Sequence, residues 1–170
     1  MNAPLPASAV SESADIANDA AIAAAAESAH RQARQREVVA ALTPLLPAHA
    51  LLWHREDTVP YECDGLTAYR EQPLVVALPE TEAQVAAVLS ACHALDVPVV
   101  ARGAGTGLSG GALPNRLGVT LSLAKFNKIL KVDAVARTAT VQCGVRNLAI
   151  SEAAAPYGLY YAPDPSSQIA

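Results

Sequence analysis

Aromatic side chains are scarce in this chain. Only 4% of its 170 residues are Phe, Trp or Tyr, with one Trp and one Phe among them. A core must therefore be built from aliphatic residues, with a heavy share of alanine. Cysteine is also sparse: Cys63, Cys92 and Cys143 are too few and too far apart to staple a miniprotein, and no CxxC pair is present. The expectation is three small side chains buried in a reducing compartment. His30, His49, His54 and His93 are scattered without ligand spacing, so no metal site is predicted.

Positive charge is missing from the start of the chain. Residues 1–29 hold Glu12, Asp15, Asp19 and Glu27 but no Lys or Arg, which by itself equals the net charge of −4. The remainder is neutral and carries no basic stripe, which excludes nucleic acid as an expected partner. A secretory signal is not visible, because the start lacks a basic region and a Leu/Val-rich stretch. Ala21–Ala26 is the longest weakly apolar run there and falls well short of the about 20 residues needed to cross a bilayer. A cytoplasmic protein without direct membrane insertion is the expectation.

What remains is enough for one ordinary domain: 52% of the residues are hydrophobic and 16% charged. Residues 1–29 read as a flexible Ala-rich tail in which Ala20–Ala29 is helix-compatible. Residues 30–66 read as an N-terminal helix, from His30 to the breakers Pro44 and Pro47, followed by a loop. From residue 67 the pattern alternates. Leu74–Leu78 (LVVAL) is a buried strand, and Thr81 opens a helix with Val85, Val88, Leu89, Cys92 and Leu95 on one face. Val97–Ala101 and Gly118–Leu123 are two further strands. Ile129–Val132 and Thr138–Gln142 alternate around a turn at Asp133–Arg137. Asn147–Ala155 is a helix with Asn147 as its expected N-cap and Gly158 just beyond its end. A βαβ unit followed by a β-meander makes the fold class α+β.

The segment Arg102–Gly111, RGAGTGLSGG, places five glycines directly after a buried strand. Glycine removes side chains and leaves successive N–H groups free to converge on an anion, and a pyrophosphate suits such a concavity. Gly105, Gly107 and Gly110 match the GxGxxG spacing of dinucleotide folds. That fingerprint also needs a helix opening at the loop and an acidic residue about 20 positions on. Here Gly111, Pro114 and Gly118 follow, and Lys125 stands 20 residues after Gly105. A Walker loop fails too, since Gly111 and Ala112 occupy the Lys and Ser/Thr positions.

These residues resemble a known family. VPVVARGAGTGLSGGALP, a hairpin, then NLAISEAAAPYGLYYAPDPSSQIA are similar to the PCMH-type FAD-binding domain of the vanillyl-alcohol-oxidase superfamily, in the branch that holds glycolate oxidase flavin subunits and D-lactate and D-2-hydroxyglutarate dehydrogenases. YECDGLTAYREQPLVVALP fits upstream, so the likeness covers roughly residues 35–170. The resemblance implies that Gly103, Ala104, Gly105, Thr106 and Gly107 give backbone N–H donors to FAD. Thr106 or Ser109 adds a hydroxyl, and Leu108, Gly110 and Gly111 complete the loop. Arg102 either faces the phosphates or braces the loop through an ion pair. Pro163, Asp164, Pro165, Ser166 and Ser167 match a second flavin-contacting segment.

Some relatives attach FAD through a histidine in this loop, and Thr106 stands there instead, so non-covalent FAD is expected. The resemblance further implies oxidation of a 2-hydroxy acid of the glycolate or D-lactate class by hydride transfer to flavin. Its partners would be other oxidase subunits, a paralogous FAD-domain chain and an iron–sulfur subunit. The catalytic base is expected beyond Ala170, with the FAD domain incomplete at its C-terminus and this fragment alone inactive; His93 on the predicted helix is not assigned that role. Two alternatives stay open: a non-catalytic nucleotide-binding or assembly subunit, and a nicotinamide enzyme with a helix immediately after Gly111.

Overall fold

Leu74, Val75, Val76 and Ala77 have no exposed surface at all, and the fold is organised around them. A computed structural model describes residues 7–163 and 165–168. Helix α1 spans Ala7–Leu42, strand β1 Leu51–Leu52 and the one-turn helix α2 Arg55–Thr58, continued by a 3-10 turn at Val59–Tyr61. Strand β2 (Val75–Ala77), helix α3 (Glu82–Ala94), strand β3 (Val99–Arg102) and strand β4 (Val119–Ser122) follow. The chain then forms β5 (Ile129–Asp133), β6 (Thr138–Val141) and α4 (Asn147–Ala154), ending its regular structure in a 3-10 turn at Ala155–Tyr157.

Among the described residues the first four strands form one sheet in the order β1-β2-β4-β3. β4 lies between β2 and β3 and runs parallel to both, with Val119 level with Val75 on one side and Val99 on the other. β1 is antiparallel to β2. β5 and β6 make a separate antiparallel hairpin. The α+β expectation holds: a βαβ unit, then an antiparallel pair.

Parallel neighbours need a crossover, and the two crossovers differ. The β2–β3 connection is α3, which starts at a capping box: Gln84 N donates to Thr81 Oγ1 (3.2 Å) and Thr81 N donates to Gln84 Oε1 (3.3 Å). Val88 and Cys92 bury its inner face, while Leu89 is exposed, so the apolar stripe is narrower than the sequence suggests. The β3–β4 connection contains no helix. It is the glycine-rich loop itself, which returns until Gly118 lies against Pro98 O at the start of β3.

Helix α1 begins much earlier than His30. Alanine keeps helical geometry without tertiary help, so the helix runs through residues read as a loose tail. Its C-terminal part packs on α3 and β2 through Val38 and Leu42. Polar side chains of the same region clasp loop carbonyls. Arg31 Nη2 donates to Gln72 O and Pro73 O, Gln35 Nε2 to Trp53 O and Leu74 O, and Arg34 Nη2 to Leu95 O and Asp96 O. No helix among the described residues is long and apolar enough to cross a membrane.

Candidate functional site

The end of β3 fixes where the glycine loop starts. Leu123 N donates to Arg102 O at 2.9 Å, so the ladder with β4 continues to the last residue before Gly103. Beyond it Gly105 has φ +75°, in the left-handed region that glycine adopts without strain. A side chain there would also collide with the guanidinium of Arg102, which lies directly beneath.

Arg102 is buried, and its charged end is turned towards the Tyr61–Cys63 stretch. Nη1 donates to Cys63 O at 2.7 Å and lies 3.5 Å from Ala112 O, and the guanidinium carbon sits 5.6 Å from the centre of the Tyr61 ring. Of the two roles left open by the sequence, the geometry has the brace, made with carbonyls and an aromatic face. No ion pair of Arg102 occurs among the described residues.

A cleft of about 370 Å³ opens between the start of the loop, the β4–β5 connection and the first turn of α4. Gly103 and Ala104 form one wall, Ala124 and Asn127 the floor, and Cys143 to Arg146 with Ala149 the other wall. Backbone bonds tie the second wall to the floor: Gly144 N donates to Phe126 O (2.8 Å) and Gln142 N to Lys128 O (2.9 Å). The lining is small residues with one arginine and no carboxylate. An anion can therefore approach the backbone closely without repulsion. Arg146, and not Asn147, occupies the N-cap of α4, and it makes no side-chain hydrogen bond to that helix. The first turn of α4 thus carries no side-chain acceptor from its own cap residue.

The second predicted segment reaches the same turn. Leu148 N donates to Gln168 O at 3.2 Å and Tyr161 N to Ser151 Oγ at 3.1 Å, laying the chain after Gly158 along α4. Pro163, Pro165 and Ser166 are exposed and Ser167 is half-buried, whereas Asp164 lies outside the described residues. Gly103 and Ala104 line the cleft. Thr106, Gly107, Leu108, Ser109 and Gly111 stand exposed outside it, with Gly110 half-buried. Asn127, Cys143 and Arg146 were not singled out by sequence reasoning. For Arg146 a signal existed, since it immediately precedes a predicted helix.

The three cysteines do not share one environment. Cys92 is buried, and desolvation pushes its thiol pKa up; Cys63 is half-buried and Cys143 exposed in the cleft wall. All three are free thiols. His93 is exposed on α3, and no cluster of His, Cys, Asp or Glu among the described residues could hold a metal. The chain after Gly111 turns and enters β4 without a helix, so the nicotinamide alternative lacks the element it needs.

Comparison with known proteins agrees with this geometry. A family model described as FAD binding domain matches residues 73–170. The chain is 60% identical over 133 residues to glycolate oxidase subunit GlcD of Escherichia coli K12, covering 78% of this chain and 27% of that protein. It is 38% identical over 126 residues to a D-2-hydroxyglutarate dehydrogenase of Xanthomonas citri pv. viticola, covering 74% of this chain and 27% of the relative. Among solved structures, p-cresol methylhydroxylase with substrate bound aligns with a TM-score of 0.71 at 26% identity, over 82% of this chain and 28% of the other. The chain spans little more than a quarter of the length of these relatives. The glycine loop, the small-residue cleft and these matches agree, and the chain belongs to the FAD-binding domain family of PCMH type, whose cofactor is FAD.

Proposed function

We propose that this chain forms the first part of the FAD site of an oxidoreductase that oxidises a 2-hydroxy acid of the glycolate or D-lactate class. The observation that carries the reading is the carboxylate-free cleft shared by the glycine loop and the first turn of α4. Similarity to proteins named glycolate oxidase subunit GlcD and D-lactate dehydrogenase supports the substrate class. Gly103 and Ala104 in the cleft, together with the N–H groups of Gly107 and Leu108 on the exposed stretch of the same loop, would hold the two phosphates through the backbone, with Arg146 in the cleft lining lending positive charge. The turn around Ser166 and Ser167, beside α4, would contact the remainder of the cofactor. When bound, the flavin supplies the hydride acceptor that no amino acid offers. Thr106 has no ring nitrogen to bond to the flavin, which supports non-covalent attachment.

In this reading the groups that take the hydroxyl proton and grip the substrate carboxylate lie outside this chain, in the rest of the relatives' length. Other oxidase subunits as partners and a cytoplasmic location belong to the same proposal. The test is to purify the protein that contains this chain, release its flavin by denaturation, and mix the native form anaerobically with glycolate, D-lactate and D-2-hydroxyglutarate. Bleaching of the visible flavin band by one of them is expected, with no flavin left on the denatured polypeptide. A second reading, a nucleotide-holding subunit that turns nothing over, is favoured by the absence of any carboxylate or histidine from the cleft lining. Stoichiometric FAD with no bleaching would select it.

A further inference from the structure

We propose that the turn Cys63–Gly65, together with Arg102, is a positioning device that aims the peptides of the glycine loop at the phosphates, and that Arg102 itself makes no phosphate contact. The inference rests on the reading of the loop as a phosphate cradle. Two observations carry it, both on the side of the loop that faces this turn.

The first is the approach of Gly65. A Cβ on Gly65 would stand 2.7 Å from Thr106 O and 2.9 Å from Gly107 O, so both carbonyls point towards this turn. In a trans peptide the N–H points opposite to the C=O. The N–H groups of Gly107 and Leu108 therefore face away from Gly65, and Gly107 itself is exposed, with nothing within 4 Å of a Cβ placed on it. Any residue larger than glycine at 65 must push those carbonyls and rotate the same N–H groups off their direction. The turn is itself fixed, because Leu66 N donates to Asp64 Oδ1 at 2.9 Å and Asp64 is buried.

The second is the commitment of Arg102. Its guanidinium binds Cys63 O, lies over Tyr61 and fills the space under Gly105. Swinging it out to a phosphate would break the Cys63 bond and empty the space beneath the loop. A planar fork that stacks and binds a carbonyl is a task lysine performs poorly, whereas plain charge on a phosphate is one that lysine performs well.

The experiment uses the full-length protein that contains this chain, in its wild-type, Gly65→Ala, Arg102→Lys, Arg102→Met and Tyr61→Leu forms. Each is stripped of flavin and titrated with FAD and with riboflavin, which lacks both phosphates. Gly65→Ala and Arg102→Lys are each expected to lose about tenfold in FAD affinity with riboflavin affinity unchanged. Arg102→Lys should be no better than Arg102→Met. Tyr61→Leu should move in the same direction, and it supplies the answer if an Arg102 or Gly65 variant does not fold. FAD affinity kept by Arg102→Lys but lost by Arg102→Met would overturn the proposal in favour of a direct charge contact. Unchanged FAD binding in Gly65→Ala overturns it, as do equal losses for FAD and riboflavin. Wild-type protein that takes up neither flavin defeats the underlying reading of the loop, and is told apart by needing no variant.

Discussion

The sheet half of the molecule, β1 to β4 with α1 and α3, and the hairpin half, β5, β6 and α4, are held together by different means. In the first, β2 and β4 are buried along their whole length, and apolar side chains from two helices close over them. In the second, Thr138, Ala139 and Thr140 are exposed, and so are Leu130 and Val135, the latter at 96%. Its order comes from backbone pairing and from turn chemistry, with Ala136 N donating to Asp133 Oδ1 and Lys131 Nζ paired with Asp133 Oδ2, both at 2.9 Å. A ligand in the cleft touches both halves. One wall is anchored in a close-packed core and the other in a segment with few buried contacts, so the second wall is the one that ligand binding can steady.

Thiol chemistry gives the largest contrast. A small alkylating reagent should modify Cys143 on mixing, and FAD should shield it, because Cys143 lines the cleft. Cys92 should react only as the core unfolds, slower by orders of magnitude. Mass spectrometry of timed samples reads both, and similar rates would erase the distinction between the halves. Next in size, Leu74→Ala removes a side chain with no exposure and should cost about 3 kcal/mol in denaturant unfolding. The paired variant Leu130→Ala in the hairpin should stay within about 0.5 kcal/mol.

Smaller again is Thr120→Val on the central strand. Its Oγ1 is buried without a hydrogen-bond partner among the described residues, so a methyl of the same size should stabilise by about 1 kcal/mol. The smallest effect is local and acid-dependent. The N–H of Ala136, and then Lys131, hold the Asp133 carboxyl below its ordinary pKa. A lowered folded-state pKa gives stability that is present above the ordinary carboxylate range and lost as pH falls through the folded value. The amide of Ala136 should therefore lose protection on acidification beyond its intrinsic pH dependence, and Asp133→Asn should blunt that response.

Much of the sheet half was legible because its signals are local. LVVAL between two prolines, Thr81 three residues before Gln84, and five glycines after VPVVA each announce an element within one short window. The hairpin was legible for the same reason, from its alternation around Asp133–Arg137. The brace was not. Arg102 and Cys63 are 39 residues apart, and nothing periodic in residues 53–68 marks a turn built to receive a loop. Only the Asp64-Gly65 dipeptide hinted at a turn. The direction of Arg102 was open for the same reason, since its partners are carbonyls and an aromatic ring, which leave no charge pattern to read. Helix α1 was misjudged at its start because alanine gives no amphipathic period to detect, yet it forms helix readily. The N-cap of α4 was misplaced by one residue because asparagine's preference for caps is only a tendency.

The strand order has a consequence for how this protein is made. β2 and β3 leave the ribosome first but are not neighbours, and the place between them belongs to β4, which emerges only after the entire glycine loop. Until Val119 to Ser122 slot in, the nascent sheet has a gap one strand wide, and the far end of the loop has no anchor. The closing of the glycine loop and the filling of the centre of the sheet are thus a single event. A growing chain cannot fix the path of the loop before that event, and a chain that has passed it holds both ends of the loop in place.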